Sequence, residues 1–246
     1  MMLTLVALFL PLFPLSVVQN LLLARLRAPL ARSALLLLWP QFGVTLLHAL
    51  QPEIPAFVVS WALTSAAFYA LRLLTVRDLG LWAGLLASSA LALIWGLAAR
   101  GADVTELRLF AFWFSLPAAL LVLLTGPLAQ RLGAAYAGLY AGLAEGQPRL
   151  AGVLTAVVLS TVATPPFPGF FALLDLLRGL GSAAALGTLG VWLIWGWAAA
   201  RILQGFITGS GRAIAAADLG RGGMLTYTAA LGVFAAAGLH VTGGGL

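Results

Sequence analysis

The stretch Thr164-Pro165-Pro166-Phe167-Pro168-Gly169-Phe170-Phe171 interrupts an otherwise apolar run over 150–174. Three prolines and a glycine stand too close together there for an ordinary helix to continue. Each proline removes a backbone donor, and its ring clashes with the preceding turn. In hydrocarbon the freed carbonyls need partners, so such a break survives only when buried among neighbouring helices or facing water. Interrupted helices of this kind mark ion and substrate paths in many transporters. A kinked helix with no transport role is the plain alternative.

Outward from the break, the chain reads as membrane throughout. A span needs about 20 mostly apolar residues, and eight segments meet that need: 3–23, 33–50, 56–74, 79–99, 109–130, 150–174, 182–202 and 223–240. The first lacks the basic start and small-residue cleavage site of a signal peptide and reads as a retained helix. The fifth connection, from Arg131 to Arg149, has room for a short helix. Composition agrees with this division. Hydrophobic residues make up 62% of the 246, charged residues 8%, and the mean hydropathy is +1.06. A soluble fold of this size would leave much of that apolar surface in water. The runs are too long and continuous for the alternating strands of a membrane β-barrel. The expected fold is therefore all-α: a polytopic transmembrane bundle of eight spans in one domain, with a discontinuous sixth helix.

The formal charge of +6 comes from 13 arginines and no lysine. Ten arginines fall in odd-numbered connections (Arg25, Arg27, Arg32, Arg72, Arg77, Arg131, Arg149, Arg201, Arg212, Arg221) and three in even-numbered ones (Arg100, Arg108, Arg178). This bias predicts cytoplasmic odd connections and both termini on the outer side. Scattered arginines between apolar runs do not form a phosphate-tracking face, so nucleic acid is excluded as a partner. The absence of lysine amid many Ala, Leu and Gly suggests a GC-rich bacterial genome and hence a bacterial cytoplasmic membrane. No cysteine is present, which excludes thiol catalysis and thiolate metal sites.

Few polar residues stand inside the spans. Gln19, Asn20 and Gln41 either fasten helices or line a water path. Asp175 and Arg178, at i,i+3, form a candidate ion pair for proton transfer, though both stand near the outer end of their span. His48, Arg201 and Gln204 are secondary candidates for a polar path. His48 and His240 lack the one-helix pairing of many membrane haem proteins. Trp195 lies deep enough to pack against the break, whereas tryptophans near helix ends suit an aromatic belt. No cofactor or metal site is expected.

The run over 128–177 resembles the late segment of the antiporter-like membrane subunits of respiratory complex I. Mrp antiporters, membrane-bound hydrogenases and the DAB-type inorganic-carbon complexes contain members of the same family. The matching elements are Gly142-Leu143, then Pro148-Arg149-Leu150-Ala151 opening a helix, then Pro165-Pro166-Phe167-Pro168-Gly169-Phe170 as its break. The resemblance implies a subunit that works with other membrane and peripheral subunits. With eight spans against about fourteen in the family, it would be a shortened member. The family's ionisable residue three positions after the break is here Leu173, and its buried lysines have no counterpart. The resemblance therefore implies a wall or adaptor of a proton- or cation-conducting module, with the chemistry carried by a redox or inorganic-carbon partner. A self-contained small-solute transporter is the alternative. A membrane enzyme acting on lipid or prenyl substrates would need clustered carboxylates, and the seven acidic residues are scattered over connections.

Overall fold

A computed structural model describes residues 2–139, 142–209 and 217–243. The helices are α1 (Met2–Phe9), α2 (Val17–Arg25), α3 (Pro29–Leu50), α4 (Phe57–Leu73), α5 (Leu79–Ala92), α6 (Ile94–Ala99), α7 (Val104–Leu132), α8 (Leu143–Gly146), α9 (Pro148–Thr161), α10 (Pro168–Gly179), α11 (Ser182–Ile207) and α12 (Arg221–Gly243). Five stretches are long and apolar enough to cross a membrane alone: α3, α5 with α6, α7, α11 and α12. Helix α4 has 17 residues, about 25 Å of rise. The other two spans are the pairs α1–α2 and α9–α10. The chain is thus a multi-pass helical membrane protein with the eight spans expected. Helix α8 is the short helix of the fifth connection.

One expectation needs correction. The first span is not a continuous helix: it is interrupted over 10–16, between α1 and α2. Pro11 and Pro14 stand in that gap and cannot donate to the helical ladder.

Helix α5 lies at the centre. Every residue from Leu79 to Ala92 except Leu81 is buried. Its Ala, Gly and Ser let neighbours approach closely, as small residues do between membrane helices. A Cβ on Gly84 would stand 3.0 Å from Leu23 of α2. Asp78 starts this helix by accepting from Leu81 N at 2.7 Å, an N-cap of the usual kind.

The connections segregate as the arginine bias requires. At one end Leu79 N donates to Ala135 O (3.0 Å), Ala137 N to Arg77 O (2.9 Å) and Gly138 N to Gly205 O (2.8 Å). There too Arg201 Nη1 donates to Leu74 O at 2.7 Å. At the opposite end Arg100 pairs with both Glu106 and Asp175. Odd connections therefore meet odd ones, and even meet even. Arg212, counted with the odd group, lies outside the described residues.

Candidate functional site

The interruption foreseen at 164–171 is present. Helix α9 ends at Thr161 and α10 begins at Pro168. Pro168 occupies the first turn of α10, where its missing N–H would have no intrahelical partner anyway. Ala163 lies in the left-handed region at φ 56°. The freed groups find partners nearby. Val162 O accepts from Trp192 Nε1 of α11 at 3.0 Å. Leu159 O accepts from Thr164 N at 3.3 Å and from Thr164 Oγ1 at 3.0 Å. Pro168 and Gly169 are buried, while Pro165 and Pro166 are exposed on the outside of the chain. Helix α12 presses its backbone onto the break: a Cβ on Gly238 would stand 2.8 Å from Pro168 N and 3.0 Å from Pro166 O.

The break between α1 and α2 is built on the same principle with more indole donors. Trp39 Nε1 donates to Leu8 O (3.2 Å), Trp95 Nε1 to Leu10 O (3.3 Å) and Trp61 Nε1 to Phe13 O (2.6 Å). Ser65 Oγ of α4 accepts from Phe13 N at 3.0 Å. Unsatisfied backbone groups at membrane depth cost several kcal/mol each, and these side chains remove that cost. Ser16 Oγ hydrogen-bonds Tyr69 OH, and Asn20 Nδ2 donates to Ser16 O at 3.2 Å. A cavity of about 160 Å³ opens beside them, lined among others by Phe13, Asn20, Tyr69 and Arg72. Gln19 is wholly buried, and neither polar atom of its amide has a protein partner.

A line of neutral polar groups runs from this break through α5 toward the other. Ser88 Oγ stands 3.3 Å from Asn20 Oδ1 and 3.0 Å from Gly84 O, two acceptors that share its one proton. The next residue, Ser89, donates to Ala66 O at 2.7 Å and accepts from Trp195 Nε1 at 2.9 Å. The Trp195 ring meets Phe114 with centroids 6.0 Å apart. Phe114 in turn stands 3.5 Å from a Cβ placed on Gly169. Among the described residues, the buried side chains with polar groups are Ser, Thr, Gln, Trp and Tyr69, and no Arg, Asp, Glu or His is buried. Leu173 is fully buried. Hydroxyls and amides of this kind orient water and relay hydrogen bonds; they do not store a charge.

The ionisable candidates lie elsewhere. Asp175 does not pair with Arg178. Its carboxylate accepts from Arg100 Nη2 at 2.5 Å, and its carbonyl accepts from Arg100 Nη1 at 3.1 Å. Burial alone would lower the Arg100 pKa, but Asp175 and Glu106 together raise it. Arg178 is exposed on α10, and His48 is exposed in the last turn of α3. Arg201 and Gln204 share one cavity with Arg77 at the arginine-rich end. No group of three or more His, Cys, Asp or Glu that could hold a metal occurs among the described residues.

The first break and its indole donors escaped sequence reasoning. Pro11 and Pro14 were the available signal. The donors lie on three other helices, and nothing local assigns them. Trp192, rather than Trp195, reaches the second break.

No family model matches the sequence, and no curated protein matches it. Solved structures do share its fold. A chain of the Mrp complex from Dietzia sp. DQ12-45-1b superposes with a TM-score of 0.75 at 19% identity, covering 84% of this chain and 41% of that one. A chain of respiratory complex I from Thermus thermophilus gives 0.77 at 21% identity, covering 94% and 52%. A chain of the membrane-bound sulfane sulfur reductase, an archaeal respiratory membrane complex, gives 0.77 at 16% identity, covering 94% and 50%. The chain spans about half the length of the chains it matches, or less. The fold shared with these chains therefore extends well beyond 128–177, over 84–94% of this one.

Proposed function

We propose that this chain is a shortened antiporter-like subunit of a multisubunit membrane complex, forming part of the wall of a proton- or cation-conducting module. The observation that carries this reading is the pair of interrupted spans. The α1–α2 pair ends at Arg25 on the arginine-rich end, whereas α9–α10 begins there at Arg149 and ends beside Arg100. The two breaks thus sit in spans of opposite direction, with Asn20, Ser88 and Ser89 on the side of the first and the rings of Trp195 and Phe114 between Ser89 and the second. Discontinuous helices paired in this way line ion paths.

The same geometry assigns the charge-storing step to partners. A proton relay within a membrane uses Asp, Glu, His or Lys facing the bundle interior. Here the interior line is neutral, and Leu173 fills the position where the resemblance places a charge. The chain supplies oriented hydroxyl and amide dipoles beside breaks whose carbonyls are already hydrogen-bonded, while a neighbouring subunit supplies the titrating groups and the driving reaction. Redox chemistry and inorganic-carbon uptake are the two candidate drivers. In this reading the arginine-rich end faces the cytoplasm of a bacterium and both termini lie outside.

Reconstitution tests the proposal. The purified chain alone in liposomes should pass neither protons nor Na⁺ above background, and mild-detergent purification should bring partner subunits with it. Flavin or iron–sulfur absorbance in that preparation would identify a redox driver; CO₂ hydration activity would identify the other. Coupled flux by the lone chain would overturn the assignment in favour of a self-contained transporter.

A further inference from the structure

We propose that the cavity between the arginine-rich ends of α4 and α11 binds the phosphate of an anionic phospholipid. The cavity measures about 260 Å³ and is lined by Arg77, Arg201 and Gln204 on its polar side and by Leu73, Ala198 and Ile202 on its apolar side. Two guanidinium groups in one recess form a phosphate-recognition pair, because each presents several N–H donors in a fixed plane.

Neither arginine forms an ion pair among the described residues. Both ion pairs among the described residues belong to Arg100. Asp78, next to Arg77 in sequence, is occupied in capping α5 through Leu81 N at 2.7 Å. Arg201 spends one donor on Leu74 O at 2.7 Å, which anchors the guanidinium at the rim and leaves its other N–H groups free. The recess is held open by backbone. Gly138 N donates to Gly205 O at 2.8 Å and Ala137 N to Arg77 O at 2.9 Å, so the 133–139 loop is pinned to α11 and to the start of α5. A Cβ on Gly205 would stand 2.9 Å from the Ala137 Cβ, which shows how closely loop and helix meet.

The surface below the recess favours a lipid over a free anion. Trp197 and Leu193 lie four and eight residues before Arg201 and share its face of α11; they are 61% and 76% exposed. Eight residues of helix rise about 12 Å, close to the depth of one hydrocarbon leaflet. An acyl chain fits along Trp197 and Leu193 while its phosphate reaches Arg201 and Arg77. Basic pockets between transmembrane helices hold anionic head groups in this manner.

The test uses the full chain, with any subunits that travel with it, in a neutral detergent. Dioleoylphosphatidylglycerol, dioleoylphosphatidylcholine and inorganic phosphate are titrated separately, and bound lipid is read by native mass spectrometry. The phosphatidylglycerol should bind about tenfold more tightly than the phosphatidylcholine, as expected for one charge-assisted contact. Arg77→Gln with Arg201→Gln should abolish that preference. Arg25→Gln with Arg27→Gln removes equal charge from exposed positions at the same end and should leave the preference intact. Gln204→Glu, at an exposed position, should weaken phosphatidylglycerol binding by setting a carboxylate beside Arg201. Equal loss in both double variants would reduce the effect to general surface charge and overturn the site. Displacement of the lipid by inorganic phosphate would overturn the lipid as ligand. Retention of a partner's acidic segment in the recess, seen by crosslinking to residue 204, would overturn it in favour of a protein contact.

Discussion

The contact between α12 and the second break yields a prediction whose sign separates packing from helix propensity. A Cβ on Gly238 would stand 2.8 Å from Pro168 N and 3.0 Å from both Pro166 O and Pro168 Cα. All three are backbone atoms, so no side chain rotates away to make room. Replacing Gly by Ala in a helix interior ordinarily gains about 1 kcal/mol. Overpacking a filled site costs about 1–3 kcal/mol. Gly232, on the same helix, has nothing within 4 Å of its Cβ position. Gly232→Ala should therefore collect the propensity gain alone, and Gly238→Ala the gain less the clash. The two variants should differ by about 1–3 kcal/mol, which for a chain of this size is about 2–12 °C in Tm. Tryptophan-fluorescence melting of both in one detergent at one scan rate reads that gap. If they melt together, α12 does not seal the break.

Trp192→Phe removes the donor to Val162 O and should destabilise the chain by about 1–3 kcal/mol, the cost of leaving a buried acceptor unpaired; Trp197→Phe, at a 61% exposed position, should not. Asp218 caps α9 by accepting from Arg149 N at 3.0 Å and Leu150 N at 3.2 Å, so Asp218→Ala should cost about 0.5–2 kcal/mol in melting experiments. Burial alone would raise the Asp218 pKa, but the N–H groups of Arg149, Leu219 and Leu150 and the charge of Arg149 hold it below the ordinary carboxylate value. A depressed folded-state pKa stabilises fully above the unfolded value of about 4 and loses that share as pH falls through the folded one. The stability gap between wild type and Asp218→Asn should accordingly begin to narrow as pH falls below about 4 and close only below the folded-state value; a gap that stays constant or widens as pH falls contradicts the cap. Asp175→Asn, which breaks an exposed pair with Arg100, should leave the proton flux of the intact complex unchanged, and a large loss of flux would place Asp175 in the path.

The second break was legible because its cause is local: Pro165, Pro166 and Pro168 each forbid a helical hydrogen bond whatever surrounds them. The first break has the same cause in weaker form. Pro11 and Pro14 are separated by Leu12 and Phe13 and embedded in apolar residues, so the segment keeps the hydropathy of a continuous span. Its stability depends on Trp39, Trp61, Trp95 and Ser65, whose positions follow only from tertiary packing. The Asp175 pairing shows the same limit. The i,i+3 spacing to Arg178 is a helical neighbour relation, but Arg100, 75 residues away, reaches the carboxylate first. The segregation of the described arginines was readable because membrane crossing forces alternate connections to opposite ends. Gln19 and Asn20 illustrate the middle ground: sequence placed two amides in a span, and the structure puts Asn20 in contact with Ser88 of the central helix while Gln19 stays without a protein partner.

If the breaks line an ion path, two non-helical segments, 10–16 and 162–167, lie at mid-membrane depth in spans of opposite direction. An electron cryo-microscopy map of the chain with its subunits in a lipid nanodisc measures that depth against the density of the slab. Both segments should lie within the central hydrocarbon, with indole donors on the carbonyls of Phe13 and Val162. Either segment lying at the aqueous surface, or running as unbroken helix against lipid, would contradict the ion path.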